Sequence, residues 1–323
     1  MSATKSFART AVRTAAALTT TLAGTAALAL ALTAAPASAA TQTNCMASPH
    51  TCGYPDATNT GVPAGTKLLT VPTQVSSGTG WSYNATDQTV DVTGNGATLS
   101  GLYIPDSVSV SADNVTIKDD QIVTSGTYGV ALRTTTATTI EDSTISGQDT
   151  GSGRVVYAID DVYGDSTGMT IKDNNISMFR CGVQVSTGLV TGNYIHDPGY
   201  VTGDHTNGVI DNGGTAQLTI SDNTIFNSLT QTDAITFDDL SGNPVANKTV
   251  ENNLLAGGDY AIYGGAAFGS TTSNVVIKNN RFGQAYYSTS GQFGPAAYFD
   301  PTGTGNTWTG NIWDTDASTV PAP

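Results

Sequence analysis

Arg180 and His205, with Asp204 beside the histidine, are the side chains whose types best suit a reaction on a charged polymer. A guanidinium can hold a carboxylate in a two-point pair, and an imidazole titrates close enough to neutrality to take or give a proton. That combination predicts β-elimination at a uronic-acid unit. A cation neutralises the acid group, a base removes the neighbouring proton, and an acid protonates the departing oxygen. Arg154 and Tyr200 are the candidates for the last step. Asp204, Gln231, Asp233, Gln184, Asn212, Tyr157 and Tyr263 are the expected substrate contacts, the tyrosines offering flat apolar faces to sugar rings. Three alternatives stay open. Calcium held by Asp160 and Asp161 would replace the arginine as the neutralising charge. Paired carboxylates, Asp204 with Asp233 or Asp160 with Asp238, would instead hydrolyse a glycosidic bond across roughly 5 to 9 Å. A groove that binds glycan without turnover is the third.

These residues lie far apart in the chain, so a repeating scaffold has to gather them. Asn174, Asn193, Asn223, Asn253, Asn280 and Asn311 each follow an apolar residue by three positions, as in Ile171 to Ile176, Ile220 to Ile225 and Ile277 to Phe282. Asp120 and Ser143 occupy the same place in two earlier copies, and successive copies lie 19 to 31 residues apart. A coil of constant cross-section carrying loops of unequal length gives that pattern. A second short run in each copy places Val130, Val183, Val209, Ile235 and Ile262 in one inward column. The fold expected is all-β, a right-handed parallel β-helix in which the asparagines stack as amide ladders at the bends. Lys118, Glu141, Lys172, Ser221, Glu251 and Lys278 form an outward, solvated column of mixed sign.

Loop lengths locate the groove. The connections from Ile145 to Ile159 and from Ile195 to Val209 are long and that from Ile176 to Val183 is short, so two walls should flank a trough around Arg180. An extended polymer fits such a trough better than a small metabolite does.

Residues 1–39 read as a secretory leader: Lys5, Arg9 and Arg13, then an Ala/Leu/Thr run, then Ala37-Ser38-Ala39. Residues 40–75 read as an N-terminal cap, 76–316 as the β-helix and 317–323 as a frayed tail, with Trp308 and Trp313 plugging the last coil. The formal net charge is −14, and all 26 acidic residues follow the leader, which excludes a nucleic-acid partner. No later apolar run is long enough to span a membrane. An extracellular polysaccharide is the expected partner and a monomer the expected state. Cys45 and Cys52 suit a disulfide, leaving Cys181 as a buried thiol.

The leader, the Gly53-Tyr54-Pro55-Asp56 segment and the copies ending in Asn-x-Ile resemble secreted bacterial β-helix proteins of the pectate-lyase-like superfamily. The resemblance covers about residues 97–313. It implies the right-handed parallel β-helix and a carbohydrate substrate, but lyases, hydrolases and non-enzymatic proteins share that fold. The Asp160-Asp161 and Asp238-Asp239 pairs occur without the Arg-Ile-Lys segment of polygalacturonases, and the Gly-Gly-x-Gly-x-Asp calcium roll is missing.

Overall fold

The computed structural model describes residues 44–211, 213–237, 242–267 and 269–323, so the expected leader, Asn212, Asp238 and Asp239 lie outside the described residues. The chain winds into a parallel β-helix with three sheets of 10, 11 and 9 strands, here called A, B and C. Each full coil contributes one strand to C, then A, then B, as in Thr170–Lys172, Asn175–Ser177 and Phe179–Gln184. Coil-to-coil pairing is parallel and keeps register, stacking Ile140 on Ile171 in sheet C, Ile145 on Ile176 in A and Ile159 on Val183 in B. All six are fully or almost fully buried in one continuous core. A period-two pattern with β-branched residues inward is what gives these short strands their only way to bury apolar surface.

The bend from C to A explains the repeat. A residue in the left-handed region ends each C strand, including Asp119, Asp142, Asp173, Asp222, Asn252 and Asn279, all with φ between 48° and 58°. Asp and Asn tolerate that conformation because their short polar side chains bond locally. The ladder residue comes next and points inward. Backbone strain therefore falls one position before the asparagine column, not on it. Asn223 Nδ2 donates to Val190 O at 2.9 Å and to Asn253 Oδ1 at 3.0 Å, while its Oδ1 accepts from Asn193 N and Nδ2. The same bonds link Asn174, Asn193, Asn253, Asn280 and Asn311.

Asp120 takes the same place with three side-chain bonds fewer than Asn223. Its Oδ1 accepts the Leu102 N–H at 2.7 Å, whereas its buried Oδ2 has no hydrogen-bond partner among the described residues. Burial pushes its pKa from 3.8 to about 7. The folded chain keeps this proton through that window while the unfolded chain has lost it, so stability falls as pH rises from 3.8 to about 7. Asp120→Asn should therefore raise stability by about 1–3 kcal/mol at a pH above that window and far less below it. Urea midpoints at the two pH values check this.

Three features differ from expectation. Residues 44–68 do not cap an end; they run as a strap along the outside of sheet A. Asn44 N bonds Asp314 O, Gly61 N bonds Asp173 O, and Leu69 N bonds Gly101 O. Met46 and Tyr54 pack on Phe226, Leu254 and Ala256, and the Cys45–Cys52 disulfide closes the strap's first turn. The first coil is covered instead by the antiparallel strands Ser77–Gly78 and Trp81–Asn84, which lead into Thr89–Val92 and protect the parallel edge. At the other end, Trp308 and Trp313 pack against Phe282 as expected, but the tail is anchored as far as Val320. Val320 is fully buried, and its carbonyl accepts Trp308 Nε1 at 2.9 Å. The outward charge column pairs across strands, with Lys172 to Glu141 at 2.8 Å and Lys278 to Glu251 at 2.7 Å.

Candidate functional site

Sheet B carries most of the candidate residues. Its strands pair on either side of one position that holds only small residues: Gly129, Ala158, Gly182, Gly208, Ala234 and Ala261. A Cβ on Gly208 would lie 2.5 Å from Ala234 O and 2.4 Å from Ile225 Cγ2, so no larger side chain fits there. This small residue and the next both face the core. The residues flanking that inward pair consequently form two outward columns. One runs Tyr128, Tyr157, Cys181, Asn207, Asp233 and Tyr260; the other runs Ala131, Asp160, Gln184, Ile210, Thr236 and Tyr263.

Arg180 sits on this face, half-buried. Its Nη2 bonds the Tyr157 hydroxyl, and its guanidinium carbon lies 4.6 Å from the centre of the Tyr157 ring. Arg180 Nε is buried without a hydrogen-bond partner among the described residues. Cys181 lies beside it, 1% exposed, and burial pushes its thiol pKa up, as a structural cysteine requires. On the preceding coil Asp160 is 3% exposed, and its Oδ1 likewise lacks a partner among the described residues. Burial and then neighbouring Asp161 raise its pKa to about 6, with Arg180 and Arg133 pulling the other way. Arg133, which the sequence reading did not single out, follows the strand Tyr128–Leu132. It donates to Ser109 Oγ and Tyr163 Oη, and its guanidinium lies 5.8 Å from the centre of the Tyr128 ring. Tyr128 and Tyr157 stack at 6.0 Å.

The expected trough around Arg180 is bridged. Tyr200 N bonds Thr150 O, Gly199 N bonds Phe179 O, and Met178 N bonds Asp197 O, so the two long loops meet over the short connection. Arg154 closes the seam by donating Nε and Nη2 to Asp204 at 2.5 and 2.6 Å. Burial alone would raise the Asp204 pKa, but the Arg154 bonds outweigh it and hold it below the ordinary value. Both side chains are thereby committed to holding the walls together, which removes Arg154 as a proton donor and Asp204 as a substrate contact or hydrolytic carboxylate. Arg154→Ala should cost about 3–5 kcal/mol of stability by leaving a buried carboxylate unpaired. Turnover per folded molecule should persist, as denaturant titration and assays of the surviving fold would show.

The register Cys181↔Asn207 puts His205 on the coil after Arg180, one residue before Thr206. The imidazole is exposed, whereas the guanidinium leans toward Tyr157 on the other side. Asp204 therefore does not orient His205. Tyr200, 43% exposed, and Gln231 line a cavity of about 350 Å³ with Leu229 and Thr230, at the rim beside sheet B. Gln184, Tyr157 and Tyr263 lie partly exposed on the outer face of sheet B, whereas Asp233 in the same columns is fully buried and so is not a substrate contact; Asn212 is outside the described residues. Asp160 and Asp161 do not form one cation site. Strand alternation sends them to opposite faces, and the Asp161 carboxylate accepts the Ser166 N–H. No cluster of three metal-ligating side chains is present among the described residues. Asp160 and Asp233 are three strands apart, about 14 Å at the usual spacing.

Neither a family model nor a curated protein matches the chain. Among solved structures, the catalytic unit of a thermostable GH87 alpha-1,3-glucanase from Streptomyces thermodiastaticus is similar with a TM-score of 0.37 and 16% identity. The match covers 72% of this chain and 52% of that one, so the chain spans about half the length of the glucanase unit. A likeness at that level is too slight to transfer a property to this chain. The pectate-lyase-like resemblance therefore rests on the coil motif.

Proposed function

We propose that the outer face of sheet B binds an extended polysaccharide and cleaves it by β-elimination at a uronic-acid unit. The observation that carries this reading is the half-buried Arg180 guanidinium, held by Tyr157 beside the Asp160 carboxyl of the neighbouring coil. A sugar carboxylate would pair with the guanidinium, and the protonated Asp160 carboxyl would donate to a glycosidic oxygen. Arg180 neutralises the substrate acid, and Tyr157 holds the guanidinium in place. His205, one coil to the other side, takes the proton next to the carboxylate. The electron pair released there forms the new double bond as the bond to the leaving oxygen breaks, and Asp160 gives that oxygen its proton. Tyr200 and Gln231 contact sugar at the rim, and Gln184 and Tyr263 contact it along the face.

Hydrolysis is the second reading, favoured by the strongly acidic composition, which suits a neutral glycan better than an anionic one. The proton on Asp160 would serve it equally. It also needs a second carboxylate roughly 5 to 9 Å away, a distance that Asp233 exceeds. Incubation with polygalacturonate, alginate and neutral glucans separates the readings. Ultraviolet absorbance from unsaturated ends, appearing with uronate polymers, is the expected result. New reducing ends without that absorbance would replace elimination by hydrolysis.

A further inference from the structure

Beyond the reactive cluster, the outer face of sheet B carries a second aromatic group, of which only Tyr263 was given a sugar contact above. Tyr260 and Tyr263 lie on the strand Tyr260–Tyr263, in the same outward columns as Tyr157 and Asp160. Phe293 and Tyr298 bracket the next strand, Gly294–Ala297. Tyr263 stacks on Tyr298 at 5.4 Å with an interplanar angle of 23°, and Tyr260 meets Tyr263 edge-on at 5.5 Å and Phe293 at 6.0 Å. Two of these rings stand in solvent, Phe293 at 61% and Tyr298 at 49% exposure. Clustered aromatic exposure of this kind marks a binding surface, because isolated rings are ordinary but a contiguous platform leaves apolar area unburied.

We infer that these four rings form a distal sugar-binding platform, and that the protein acts on the interior of glycan chains. The inference rests on the polysaccharide reading above and adds to it the direction and length of the bound chain. The platform lies three to four strands from the Arg180 coil, about 14–19 Å along the helix axis. Between the two, on the same face, half-buried Gln184 can bond a hydroxyl, while Asn207, Asp233 and Thr236 are buried and form the floor. On the opposite side of Arg180, Tyr128, Tyr157 and Tyr163 with Arg133 form a comparable aromatic group. Flat apolar faces on both sides of the reacting residues fit a chain that enters at one end and leaves at the other. A cleft serving chain ends alone would need only one of them. Continuity with the groove selects a glycan over a protein partner as occupant.

The test uses calorimetric binding of tri- to octasaccharides from polygalacturonate, alginate and neutral glucans to the full chain carrying Asp160→Asn, which prevents their consumption. Affinity should rise with chain length. Adding Phe293→Ala and Tyr298→Ala, both surface changes, should weaken octasaccharide binding about tenfold and leave the trisaccharide unchanged. With the parent chain, polymer viscosity should fall before chain ends accumulate. Octasaccharide affinity untouched by the two substitutions, or no gain with length, overturns the platform even if the parent cleaves polymer. Length-dependent binding that the substitutions abolish, without turnover by the parent, upholds the platform and refutes the cleavage reading.

Discussion

Replacing Asp160 by asparagine should lower turnover by about 10²- to 10⁴-fold, the usual contribution of a positioned proton donor, while leaving the fold intact. Asparagine keeps the shape and a hydrogen-bond donor but has no proton to give. The pH profile carries the same signature. Burial first, and Asp161 second, raise the Asp160 pKa from 3.8 to about 6, so the acid form is depleted as pH rises through that value. Turnover limited by this group should therefore fall on the alkaline side of about pH 6 in the parent, and the residual activity of Asp160→Asn should lose that limb. Stability moves in a related way. The folded chain retains the proton between 3.8 and about 6 where the unfolded chain does not, so ionisation opposes folding as pH rises across that window. The substituted chain should match or exceed the parent's stability above it. Initial rates across pH, paired with urea titrations, separate a lost proton donor from a damaged fold.

Asn223→Leu carries a large expected structural penalty. The side chain is fully buried and makes four hydrogen bonds, to Val190 O, Asn253 Oδ1, and Asn193 N and Nδ2. Leucine is close in size and can make none of them. At least Val190 O and Asn193 N would be left buried without partners, at about 1–3 kcal/mol each. Loss of at least about 3 kcal/mol is expected, read as a drop in the urea midpoint. The effect should spread along the column, because each amide fixes the next. An unchanged midpoint would mean that the ladder does not stabilise the bends.

The coil motif was legible because it is periodic. Inward valines and isoleucines at every coil, and an asparagine at a fixed place in each bend, recur whatever loop lies between, so Val183 stacks on Ile159 and Val209 as the alternation requires. The strap was not legible. Residues 44–68 contain no such period, and their docking on Asp314 and Asp173 depends on parts of the chain far away in sequence. Loop lengths set Arg180 between two long loops but did not show whether those loops stand apart or meet, a matter settled by the Arg154–Asp204 pair. The adjacent Asp160 and Asp161 looked like one acidic site in one dimension, yet alternation separates them. The small inward position at Ala158 and Gly182, which sets the outward columns, shows in sequence only as a small residue before each inward valine or isoleucine. Arg133 and the aromatic stacks come from register, which a residue list does not convey.

A crystal structure of the Asp160→Asn chain with a bound octasaccharide tests the central claim most directly. The account predicts sugar lying along the outer face of sheet B, crossing Arg180, with a glycosidic oxygen within hydrogen-bond reach of residue 160. Sugar bound along sheet C or on the strap over sheet A, with the face around Arg180 bare, would contradict it.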